Sequence, residues 1–126
     1  MMGSDREALE AREDRLARLA DDAAQAVRGI NHVTITGPSL PAPSVYEVLG
    51  SLRQLGYGLE QAALQLSDRL AASPREYDLY EADGGDPAAH LEAASTALTQ
   101  AARAARELGL MLDGAQSVIA GQGYWS

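Results

Sequence analysis

The residues of this chain best placed to do chemistry lie in an acidic stretch, Tyr77-Asp78-Leu79-Tyr80-Glu81-Ala82-Asp83-Gly84-Gly85-Asp86, with His90 four residues beyond. Clustered carboxylates before a glycine suggest calcium. A calcium-binding loop of the EF-hand kind needs oxygen ligands at its first position and a glutamate at its twelfth, with glycine at the sixth. With Gly84 at the sixth position, the first is Leu79 and the twelfth is His90, so the motif fails. Asp86 and His90 are spaced to face one ligand from a helix, but two donors make a weak site. His32 sits elsewhere in the chain, and each histidine reads better as a surface or capping residue than as a base or ligand. Acid–base catalysis asks for a carboxylate in a shaped, partly desolvated pocket, and the carboxylates here fall on polar helical faces. No glycine-rich phosphate loop ends in Lys, no Glu-x-x-His pair occurs, and there is no cysteine. The residues predict no enzyme activity, no metal and no cofactor.

Aromatic residues are the remaining candidates. Tyr46 stands at a helix start, Tyr57 between two glycines, Tyr77 and Tyr80 in the acidic stretch, and Tyr124-Trp125 near the C-terminus. Tyr and Trp are enriched at protein interfaces and their hot spots. The same residues also cover the ends of helix bundles, with an apolar body and a polar tip. The six are read here as candidate partner-binding residues.

Three helices must position these groups. Ser4-Asp5-Arg6-Glu7 reads as a capping box. Leu9, Leu16, Ala23 and Ile30 then recur every seven residues, with Leu19, Ala20, Ala26 and Val27 filling the stripe. The pattern predicts an amphipathic helix over about 5–29, ending near Arg28-Gly29. Residues 30–43 form a linker. His32-Val33-Thr34-Ile35-Thr36 is β-like but has no second strand to pair with, and the prolines at 38, 41 and 43 predict extended chain.

A second capping box, Ser44-Val45-Tyr46-Glu47, predicts a helix over 44–72. Val45, Leu49, Leu52, Gly56, Leu59, Ala63, Leu66 and Leu70 alternate steps of four and three, the a/d pattern of a coiled coil. Val48, Leu55, Ala62 and Leu64 widen the apolar face, which implies more than one neighbouring helix. Gly56 on the seam either permits close backbone approach or marks a kink. After a linker at 73–86, Asp86 and Pro87 are a good N-cap and first helical residue. The third helix is predicted over 87–120, with Leu91, Leu98, Ala105, Leu112 and Ile119 in one seam column. Ala94, Ala101, Leu108 and Ala115 form the second, and Gly121 is the expected terminator.

The expected architecture is all-α: one domain over 1–126, an elongated three-helix bundle or antiparallel helical hairpin with Leu/Ala seams. Hydrophobic residues reach 46%, but much of that is alanine, and phenylalanine is absent. Stabilisation scales with apolar area, roughly 25 cal/mol per Å², so alanine seams hold weakly and predict association with another chain.

The net charge is −8, with ten Arg and no Lys. Nucleic-acid affinity rests on phosphate neutralisation, so neither nucleic acid nor an anionic membrane is an expected partner. No apolar run approaches the roughly 20 residues of a membrane span, and no signal-peptide core is visible at the N-terminus. The cytoplasm is the default compartment, with signal-less secretion left open.

Thr36-Gly37-Pro38-Ser39-Leu40-Pro41-Ala42-Pro43-Ser44-Val45-Tyr46 and Ala115-Gln116-Ser117-Val118-Ile119-Ala120-Gly121-Gln122-Gly123-Tyr124 resemble a family of small helical proteins of actinobacteria such as streptomycetes. That resemblance implies no activity and no functional residues. A weaker similarity is to the WXG100-type proteins of type VII secretion, acidic Ala-rich hairpins that pair in dimers. The Trp-x-Gly turn of that family has no counterpart in residues 74–86, and the chain ends at Ser126 without the tail that carries their secretion signal. The functional expectation is a helical interaction module, self-associating as a homo-oligomer or binding a partner helix. The alternative is a small acidic regulator, antitoxin-like or anti-activator, that masks a basic partner surface.

Overall fold

A computed structural model of the protein describes residues 2–125. Three long α-helices account for most of them, and the described residues contain no strand. The chain divides into two compact units, Met1–Ser39 and Leu40–Ser126. The division falls in the linker after the first helix, where Gly37 adopts φ 96° and prolines follow at 38 and 41. Such a φ is a conformation that L side chains rarely adopt, so no helix continues through Gly37.

The first unit is α1, Met2–Thr34. It begins before the expected cap, so Ser4 lies inside the first turns and not at an N-cap. It also runs past Gly29 through His32, Val33 and Thr34. One glycine costs a helix about 1 kcal/mol, too little to stop it. The β-branched residues that follow have no strand to join among the described residues. They continue the helix instead: Thr34 Oγ1 donates to the Ile30 carbonyl at 2.8 Å, and the Ile35 amide donates to the Asn31 carbonyl at 3.1 Å.

The second unit is an antiparallel hairpin of α2 (Ala42–Ala72) and α3 (Pro87–Val118). α2 starts two residues before the predicted capping box. Its N-cap is Pro41, whose carbonyl accepts from the Ser44 and Val45 amides, and Ser44 makes no cap. Pro43 sits in the first turn, where its missing N–H costs nothing. At the other end Ser73 Oγ donates to the Leu70 carbonyl at 2.7 Å and a 3-10 turn, Ser73–Arg75, leads out. α3 starts as predicted: Asp86 accepts from the Ala88 amide, and Pro87 opens the helix. It ends at Val118, before Gly121, in a turn closed by the Gln122 amide donating to the Ile119 carbonyl.

Pairs across the hairpin fix its direction. The Tyr46 carbonyl meets Gln116, Arg53 meets Asp113, Glu60 meets Arg106 and Ser67 meets Ser95. The seam between the helices differs from the predicted one. On α3 the residues facing α2 include Ser95, Ala102, Gly109 and Gln116, each one position after the expected Ala94, Ala101, Leu108 and Ala115. The companion column of Leu91, Leu98, Ala105, Leu112 and Ile119 is half-buried as expected. On α2, Gly56 and Ser67 are buried, whereas Leu59 and Leu66, assigned to the seam by the heptad pattern, are about half exposed.

Close approach of the backbones explains the shift. A Cβ on Gly56 would stand 2.9 Å from the Gly109 Cα and 3.1 Å from the Ala105 carbonyl oxygen. Carbon atoms pack at about 3.5–4.0 Å, so no side chain fits between the axes at this level. Close approach, not a kink, is the role of Gly56: α2 is continuous through it. The small seam residues interdigitate, and the leucines turn to the flank. Ala102, at 3% exposed, is the one apolar residue counted as buried among those described.

Candidate functional site

The two flanks of the hairpin seam differ in chemistry. One carries ion pairs: Arg53 Nη1 to Asp113 Oδ1 at 3.4 Å, and Arg106 Nη1 to Glu60 Oε2 at 4.0 Å. Tyr57 lies on this flank, its ring against Gly109, where a Cβ would stand 2.6 Å from the ring. The glycine is therefore what lets the ring lie down. Leu64, one helical repeat on from Tyr57, shares this side and stays exposed. Such half-exposed ion pairs contribute little, about 0.2–1 kcal/mol.

The opposite flank is apolar. Helical spacing of about 100° per residue puts Val48, Leu52, Leu55, Leu59, Ala62 and Leu66 of α2 together there. Because the helices are antiparallel, the residues one position before the α3 seam fall on the same side: Ala94, Ala101, Leu108 and Ala115, bordered by Ala97, Ala104 and Met111. The rows framing this face contain only two formal charges, Arg69 and Glu107. Leu59 is 46% exposed, Leu66 53% and Met111 62%. Isolated exposed leucines are ordinary, but a contiguous uncharged face across two helices marks an interaction surface.

The acidic loop is occupied by its own geometry. His90 Nδ1 lies 2.6 Å from Glu81 Oε1, so His90 pairs with Glu81 and not with Asp86, which caps α3. The Gly85 amide donates to Asp83 Oδ1 at 2.9 Å, the Gly84 amide donates to the Glu81 carbonyl, and Gly84 takes φ 81°. No group of three or more His, Asp or Glu among the described residues could hold a metal ion.

The six aromatic candidates are not brought together. Tyr77 and Tyr80 belong to the loop, Tyr46 to the first turns of α2 at the other end, and Tyr57 to the ion-paired flank. Tyr124 and Trp125 follow α3, with Trp125 fully exposed. The sequence does not mark this face as a site, because Leu52, Leu59, Leu66 and Leu108 fit the heptad seam and so point inward in that pattern. The available signal was the width of the α2 stripe through Val48, Leu55 and Ala62.

No family profile, curated protein or solved structure matches this chain. No helix among the described residues is long and apolar enough to cross a membrane.

Proposed function

We propose that this protein is a non-enzymatic helical interaction module and that it binds through the apolar flank of the α2–α3 hairpin. The observation that carries the reading is the segregation of charge: Arg53, Glu60, Arg106 and Asp113 hold one flank, while Val48, Leu59, Leu66, Leu108 and Met111 stand exposed on the other. Apolar area removed from water is the main driving force of association. The hairpin has such area in one continuous strip, with no charge inside it to desolvate.

A photo-crosslinking amino acid at position 66, on the apolar flank, tests this in the organism's own cells against the same group at position 61, on the charged flank. Position 66 is expected to give protein adducts and position 61 few. Absence of adducts at 66 sinks the reading.

A second reading, an acidic regulator that covers a basic surface, draws on Glu76, Asp78, Glu81, Asp83 and Asp86, five carboxylates in eleven residues. Binding of that kind weakens steeply with salt, whereas binding through the apolar flank does not.

A further inference from the structure

Resting on that reading, we infer that the occupant of the apolar flank is a second copy of this chain, seated with the leucine-rich α2 of each hairpin over the alanine-rich α3 of the other. Three features of the face point to this partner.

The first is width. The face is presented by two helices side by side, so a single partner helix fills only the groove between them. A second hairpin matches the whole. α2 and α3 are 31 and 32 residues long, about 45 Å at 1.5 Å per residue, and a close-packed helix pair is about 18 Å across. Full overlap covers on the order of 800 Å² per copy and about 1,600 Å² in all, the ordinary size of a stable interface.

The second is shape. The α2 half projects Val48, Leu55, Leu59 and Leu66, whereas the α3 half is floored by Ala94, Ala97, Ala101, Ala104 and Ala115, with Leu108 and Met111 its two large residues. A two-fold axis parallel to the helices sets each large half on a small one, which fills space as a packed core does. A two-fold axis across the helices stacks leucine on leucine and alanine on alanine, leaving one half overfilled and the other with a gap.

The third is charge. Glu107 borders the face near the middle of α3. An axis across the helices brings the two Glu107 side chains together, where like charges repel. The parallel axis sets each Glu107 beside the uncharged Gly58 level of the partner copy. It also puts both acidic loops at one end, where Asp78, Asp83 and Asp86 are exposed and salt screens charges over about 8 Å.

The absence of cysteine makes a single engineered cysteine a unique label. Sedimentation equilibrium of the full chain is expected to give twice 13.3 kDa, and spin labels at Ala82→Cys a distance well under the ~45 Å length of the hairpin. L59E/L66E and, independently on the other helix, A101R are expected to give monomers of unchanged helical content, while Gln61→Glu on the charged flank leaves the dimer intact. Three results overturn the inference: a monomeric wild-type chain, including one in which α1 shields Leu59; a dimer that survives both face variants; or labels a full hairpin length apart. A monomer that still crosslinks another protein from position 66 removes the second copy and leaves the interaction reading standing. A monomer with no adducts removes both.

Discussion

Replacing Gly56 by alanine tests the feature on which the hairpin turns. The added methyl would sit 2.9 Å from the Gly109 Cα and nitrogen and 3.1 Å from the Ala105 oxygen, all of them backbone atoms that cannot rotate away. Restoring ordinary contact at about 3.5–4.0 Å requires the helices to part by roughly 0.5–1 Å. Overpacking of this kind costs about 1–3 kcal/mol. The same movement stretches the Ser67–Ser95 hydrogen bond, now 2.8 Å, and a bond of that kind contributes about 1 kcal/mol. Against this, alanine gains about 1 kcal/mol over glycine in helix propensity. The net expectation is a loss of about 1–3 kcal/mol. Gly58 is the control, two residues along the same helix with nothing within 4 Å of its would-be Cβ. Gly58→Ala keeps only the propensity gain, about 1 kcal/mol of added stability. The two variants should therefore differ by about 2–4 kcal/mol, or about 1–2 M in urea midpoint for slopes of about 2 kcal/mol per M. The assay is urea unfolding followed by far-ultraviolet circular dichroism at one fixed protein concentration, since association shifts apparent stability. If Gly56→Ala and Gly58→Ala gave the same midpoint, the close approach of α2 and α3 at Gly56 would be refuted.

Asp86→Ala removes the side-chain acceptor from the start of α3 and should cost about 1 kcal/mol in the same urea experiment. Ser67→Ala should cost about 1 kcal/mol, because Ser67 is only 6% exposed and Ser95 loses its partner. The double variant with Ser95→Ala should cost no more than the single one, and strict additivity in a double-mutant cycle would show that the hydroxyls do not interact. Asp113→Ala should change stability by less than about 1 kcal/mol, since its partner Arg53 is a third exposed and the pair is long at 3.4 Å. A larger loss in thermal melting would mean that the charged flank is a structural element in its own right.

Much of the architecture was legible in the residues before any coordinates. Periodicity alone separated three helices from two linkers, because an amphipathic stripe repeats at the pitch of the helix whatever it later packs against. Asp86-Pro87 announced the start of α3, since a side-chain acceptor and a preset φ are local requirements met by local chemistry. Other boundaries misled for equally physical reasons. Ser44 and Ser4 have the right spacing for capping boxes, yet the helices begin earlier, at Pro41-Ala42 and Met2. Gly29 resembles a stop, but one glycine is too cheap to end a helix, and α1 runs on to Thr34, three residues before Gly37 takes its positive φ.

The sequence by itself determined that this chain is all-helical, that Gly56 falls on an apolar seam, and that its apolar stripes exceed what one seam can use. Only the tertiary structure decided which residues fill the seam. A heptad reading ranks positions by apolarity and sends Leu59, Leu66 and Leu108 inward. Two glycine backbones in contact at 56 and 109 leave space between the axes for Ser67, Ser95 and Ala102. On each helix one seam column stays in place and the other gives way to its next neighbour, which turns Leu59, Leu66 and Leu108 out to a common flank. How near two backbones come is a property of the pair, and it is written in neither helix alone.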